Sequence, residues 1–199
     1  MSDAGARAIL VLDDGSPEAR LALEWCRSAL EEVWAVPPPR GAELEALRAA
    51  TEAAAALTAE RVVQEGQRAR ARLLAIEKRA LLAHPANKTV LLLSGTVPPE
   101  PLLPLGDLYA SQIARFAGGW SGPPAVRALA ERAGGIDALD GALARLIDEG
   151  WSEQEALAPL PSPARRELLT LLAAGRFARA RAGLIPKLGA GTIGIDFFG

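Results

Sequence analysis

The stretch Lys88–Gly122, KTVLLLSGTVPPEPLLPLGDLYASQIARFAGGWSG, decides how the rest of the chain is read. It opens on an uninterrupted apolar run, Val90-Leu91-Leu92-Leu93, closed by Ser94-Gly95. Such a run between turn signals is too short for a globular helix and fits a strand buried on both faces. A loop with Pro98, Pro99, Pro101 and Pro104 follows, and Gly106-Asp107 then lead into a helical pattern from Leu108 to Ala117. Strand, loop and helix N-terminus is the arrangement in which α/β proteins place ligands.

Upstream, Ala8-Ile9-Leu10-Val11-Leu12 reads as a first buried strand, ended by Asp13-Asp14-Gly15. Ser16 is an N-cap candidate, with Pro17 at the first helical position and Glu18 complementing the positive helix end. The helix is expected to reach about Leu30, with Leu21, Trp25 and Leu30 facing inward. Val33-Trp34-Ala35-Val36 makes a second strand, stopped by Pro37-Pro38-Pro39, which cannot continue a ladder.

Residues 41–83 lack proline and are rich in Ala, Glu, Arg and Leu, so they read as helical throughout. A single helix of that length would span about 65 Å, against a radius of gyration of roughly 16 Å for a compact chain of this size. A break near Thr58 or Gly66, or a projecting arm, resolves the mismatch. Val62, Gly66, Ala69, Leu73, Ile76 and Ala80 recur at spacings of four and three, a narrow seam suited to another helix of the same chain or to a second copy. His84 precedes Pro85, so it reads as the charged end of this helical segment.

Beyond Gly122 the pattern is helical: Pro123–Ala133, Ile136–Glu149, a Ser152/Glu155 capping box, a helix from Ser162 to about Gly175 and a short one over Arg176–Ala182. The closing TIGIDFF is an edge strand or a docked tail. The expected fold is therefore α/β. A small, open, Rossmann-like parallel sheet of three or four strands with crossover helices occupies residues 1–121, a helical cap or bundle 122–190, and the strand or tail 191–199.

The 199 residues carry a net charge of −2, which argues against nucleic acid as the partner of the whole chain. Charge is uneven, with five basic and eleven acidic residues in 1–60 and six basic and one acidic in 161–189. The arginines of 68–72 and 176–181 alternate, which sprays them around a helix and leaves RNA contact a minor alternative. One cysteine, Cys26, forbids an intramolecular disulfide, and no apolar run is long enough for a membrane span, so a cytoplasmic setting is the default.

Adjacent carboxylates at a strand tip can hold Mg²⁺ and through it a phosphate, which makes Asp13 the candidate metal ligand and Asp13, Asp14 and Asp107 the candidate catalytic acids. The competing reading is plain turn chemistry for Asp13-Asp14-Gly15 and helix capping for Asp107. Ser94, Gly95 and Thr96 offer two hydroxyls and a close-approach backbone, with Tyr109 and Trp120 as further ligand-binding candidates. Neither a nucleotide P-loop nor a Gly-x-Gly-x-x-Gly follows any expected strand. The lone histidine excludes histidine-rich zinc sites, and no Gly-x-Ser-x-Gly elbow is present. The residues thus point to a small anionic ligand, a nucleotide or phosphoester, bound in a crevice between strand tips, with Mg-dependent transfer or hydrolysis as the chemistry carboxylates would support. The alternative is a non-catalytic adaptor that assembles through 62–80.

Overall fold

The computed structural model describes residues 8–52, 59–95, 98–179 and 182–186. At its centre is β1 (Ala8–Leu12), flanked by β2 (Val33–Val36) and β3 (Ala80–Ala83), in the order β2-β1-β3 with both pairings parallel. Every residue of β1 is buried. Its side chains alternate between two faces, as a strand requires: Ile9 and Val11 join one apolar cluster with Ala22, Leu23 and Cys26, while Leu10 and Leu12 join another with Ala71 and Leu82.

The first crossover follows the sequence closely. Helix α1 (Pro17–Ala29) has Ser16 as its N-cap, its Oγ accepting from the Ala19 N–H, and Pro17 opens the first turn. The buried face is Ala19, Ala22, Leu23 and Cys26; Leu30, expected inside, is exposed. Burial pushes the Cys26 thiol up to about 11, so it stays protonated.

The second crossover corrects the expectation of an all-helical 41–83. The segment holds two helices, α2 (Ala42–Glu52) and α3 (Ala59–Lys78), and then β3. Gly66 is no break point: it lies inside α3, where a Cβ would collide with Leu47 of α2, so its lack of a side chain lets the two helices meet. Arg79, at φ +50°, turns the chain from α3 into β3. The small-residue seam divides around the helix. Val62 and Gly66 face inward, whereas Ala69, Leu73 and Ile76 are exposed, because the inner face is carried by Ala71, Leu74 and Ala75.

The expected third strand is a helix. Val90–Leu93 belongs to α4 (Lys88–Leu93), capped by Asn87, whose Oδ1 accepts from the Val90 N–H. Leu91, Leu92 and Leu93 are all buried among helices while Val90 is half-buried, and burial of three successive residues erases the periodicity that separates strand from helix. The true third strand, Ala-Leu-Leu-Ala, has no β-branched residue and was hidden in a helix-forming composition. Bridge pairing continues past it, from Ala83 to Leu102 and from Leu102 to Leu184.

The remaining helices are α5 (Ala110–Ala117), α6 (Pro124–Arg132), α7 (Ile136–Ile147), α8 (Glu153–Leu157) and α9 (Ser162–Arg179). Their largest apolar cluster joins Leu91–Leu93 of α4 to Leu129, Leu139, Leu143, Leu160 and Leu168. The Ser152/Glu155 capping pair forms. Helix α9 runs on through the buried Gly175, where the sequence suggested a stop. The 191–199 segment lies outside the described residues. No described helix is long and apolar enough to cross a membrane.

Candidate functional site

The chain leaves β1 toward α1 on one face of the sheet, and it enters β3 from α3 on the other. The carboxyl ends of β1 and β3 therefore sit at a topological switch point, where open α/β sheets leave a crevice. A cavity of about 990 Å³ occupies that position. Its lining includes Asp14 and Ser16 after β1, Pro38 after β2 and His84 to Asn87 after β3. Helix α3 adds Arg61, Gln64, Glu65 and Arg68; Ser94 follows α4; Ser121 to Pro124 and Arg127 close the far side. The crevice thus opens at the ends of β1 and β3, and of the Val90–Leu93 run only Val90 lines it.

Glu18 is the polar hub of the wall. It is almost wholly buried, and its carboxylate accepts from the Ser121 N–H (2.8 Å), the Ser121 hydroxyl (2.9 Å) and Asn87 Nδ2 (3.4 Å). Burial pushes the carboxyl above its ordinary range, and the bonds from Ser121 oppose that rise. Three segments distant in sequence are held by one side chain.

Gln67, also buried, reaches from α3 across the strand ends: its Nε2 donates to the Val36 carbonyl (2.6 Å) and the Asp13 carbonyl (3.2 Å). Arg68 pairs with Glu65 (2.9 Å) and with the buried Glu100 (3.3 Å). Burial holds the Glu100 carboxyl above its usual range. Arg127 forms no ion pair among the described residues and is exposed to the cavity.

His84 is not a charged helix terminus. It follows β3, its Nδ1 accepts from the Ala86 N–H (3.1 Å), and burial together with the neighbouring Arg68 charge lowers its pKa to about 4. With Nδ1 accepting, the proton of the neutral ring is on Nε2.

The candidate site residues scatter. Asp13 accepts from the Gly15 N–H (3.0 Å) and Asp14 from the Ser16 N–H (2.9 Å), and of the two only Asp14 lines the cavity. Asp107 lies elsewhere, fully buried against Lys88 Nζ at 3.4 Å. It is not the cap of α5, because the helix starts two residues later at a Tyr109 N-cap whose N–H donates to Gln112 Oε1. Tyr109 also turns away from the cavity, its hydroxyl donating to Asp148 Oδ2 at 3.0 Å. Trp120 lines a smaller cavity of about 220 Å³, beside Arg127 and Glu131. Ser94 lines the large cavity, Gly95 lies beside it in sequence with φ +69°, and Thr96 is outside the described residues. Among the described residues no group of three or more His, Cys, Asp or Glu side chains is arranged to hold a metal ion.

Sequence reasoning missed Glu18, Gln67, Arg61, Arg68 and Arg127 as lining residues. Glu18 read as a routine first-turn acid and Arg68 as a solvated helix charge, while nothing in the pattern singled out Arg61, Gln67 or Arg127. Only their convergence from α1, α3 and α6 distinguishes them, and a linear pattern carries no trace of that.

No protein-family profile matches the chain, and no curated protein matches it in sequence. Among solved structures it is similar in fold to the glutamine-dependent NAD+ synthetase of Acinetobacter baumannii, whose structure was determined in complex with ADP. The TM-score is 0.50 at 14% identity over 97% of this chain. The match covers 45% of that protein, so this chain spans less than half its length.

Proposed function

We propose that the chain binds a small anionic ligand of the nucleotide class in the cavity at the carboxyl edge of its sheet. The observation that carries this reading is the cavity's position and lining: about 990 Å³ at the β1/β3 switch point, with Arg61, Arg68 and Arg127 on its walls. That volume lies at the upper end of ordinary small-molecule sites and accommodates a nucleotide. The similar fold solved with ADP supports the same class of ligand. His84, neutral at pH 7, adds a hydrogen-bonding ring to the wall without adding charge.

The reading is one of binding. Asp14 is the one of the three candidate acids that meets such a ligand directly, through the cavity rim. The test is calorimetric titration and thermal shift with adenosine, AMP, ADP and ATP. A ligand at 100 times its Kd is expected to raise Tm by about 5 °C or more. Ser94→Trp, which fills the cavity from its α4 side, is expected to abolish that shift while leaving the circular dichroism unchanged. If none of the four compounds raises Tm or releases heat, the proposal is wrong.

A further inference from the structure

We infer that the ligand of this cavity carries a single phosphate, held at Arg127, and that the β1–α1 turn takes no part in phosphate binding. This rests on the nucleotide reading above and specifies its charge and orientation. A helix N-terminus following a central strand ordinarily offers free N–H groups to a phosphate. Here each such group is already engaged. Gly15 N–H goes to Asp13, Ser16 N–H to Asp14 and Ala19 N–H to Ser16 Oγ. Pro17 has no N–H, and the Glu18 N–H supports its own carboxylate. The chain has filled its own anion position with carboxylates, and a phosphate placed there meets like charge.

The balance of the lining leads the same way. Three arginines (Arg61, Arg68, Arg127) are matched by three acids (Asp14, Glu18, Glu65), so the cavity is not the strongly cationic funnel that a triphosphate needs. Arg68 already serves Glu65 and Glu100. Arg127 lines the cavity from α6, whose first turn carries no acid. The Arg127 guanidinium, without an ion pair among the described residues, suits one phosphoryl group, bidentately. Further phosphates would share the lining with Asp14, Glu18 and Glu65.

The experiment is titration of the full chain with adenosine, AMP, ADP and ATP, each with and without Mg²⁺. AMP is expected to bind about 10-fold or more tighter than adenosine, as a charge-assisted contact warrants. ADP and ATP are expected to bind no tighter than AMP, and Mg²⁺ to change none of these. Arg127→Ala, a surface change, is expected to remove the AMP advantage and leave adenosine binding intact. Asp14→Asn is expected to narrow the gap between AMP and ADP. Tightest binding by Mg-ATP, or an AMP affinity unchanged in Arg127→Ala, overturns this inference while leaving the nucleotide reading standing; failure of all four compounds to bind removes both.

Discussion

Lys88 has one per cent of its surface exposed, yet it carries a charge. Its Nζ lies 2.7 Å from Asp148 Oδ1, 3.4 Å from Asp107 Oδ1 and 5.0 Å from the centre of the Tyr109 ring. A buried ammonium is tolerable only with such partners, and removing it exposes the cost of the carboxylates left behind. Lys88→Met is therefore expected to destabilise the chain by about 3 kcal/mol or more, with partial recovery in Lys88→Met/Asp107→Asn; urea denaturation of the two variants checks this. His84 gives the pH-dependent counterpart. Its folded pKa of about 4 lies below the ordinary 6.5, so between those values the unfolded chain binds the extra proton. Its contribution to stability is complete above about pH 6.5 and is lost as pH falls toward 4, an effect on the order of 3 kcal/mol. Glu18, Glu100 and Asp140, all raised by burial, act with the opposite sign. The measurement is thus the difference between wild type and His84→Gln across that range, and equal slopes would contradict it.

At the scale of elements, the turn from α3 into β3 places Arg79 in the left-handed region without a glycine to relieve it. Its N–H reaches back to the Ile76 carbonyl at 3.4 Å, so the conformation is fixed by the helix end and not by the side chain. Arg79→Gly is expected to stabilise by about 0.5–1 kcal/mol, read as a higher urea midpoint. A lower midpoint would mean that the arginine side chain makes a contact worth more than the strain. The start of α5 illustrates the same dependence on distant partners. Its amides at Ala110 and Ser111 are taken by Thr89 Oγ1 and Asp140 Oδ2, and Thr89 also donates to Asp140 at 2.7 Å. Helices α4, α5 and α7 are registered to one another by these two side chains.

Across the whole molecule, Glu18 links the sheet's first crossover to the loop before α6 and to the cap of α4. Losing it leaves the buried Asn87 amide and the part-buried Ser121 donors without their acceptor. Glu18→Ala is expected to cost about 2 kcal/mol and to speed hydrogen exchange at the Ser121 amide more than at β1 amides. Uniform acceleration at both places would instead mean global destabilisation with no local fastening. The cavity depends on the same side chain, since Glu18, Asn87 and Ser121 all line it.

The local signals in the first 36 residues were sufficient by themselves. The short apolar run of β1 closed by Asp13-Asp14-Gly15, the Ser16-Pro17-Glu18 start of α1 and the short β2 closed by prolines each express their structure within a few residues. The parallel sheet with crossover helices was expected from these runs together with Val90–Leu93, and the sheet formed although its third strand is Ala80–Ala83 and that run is helical. Where alanine and leucine fill both strand and helix, the local signal vanishes. Ala80–Ala83 became a strand because β1 offers it an open edge, and Lys88–Leu93 became a helix that buries Leu91, Leu92 and Leu93 among other helices. The site shows the same division. The sequence placed a crevice at strand tips, but which tips, and which side chains from α1, α3 and α6 meet there, was settled only by tertiary packing, because side chains far apart along a chain become neighbours only when the elements carrying them are packed together.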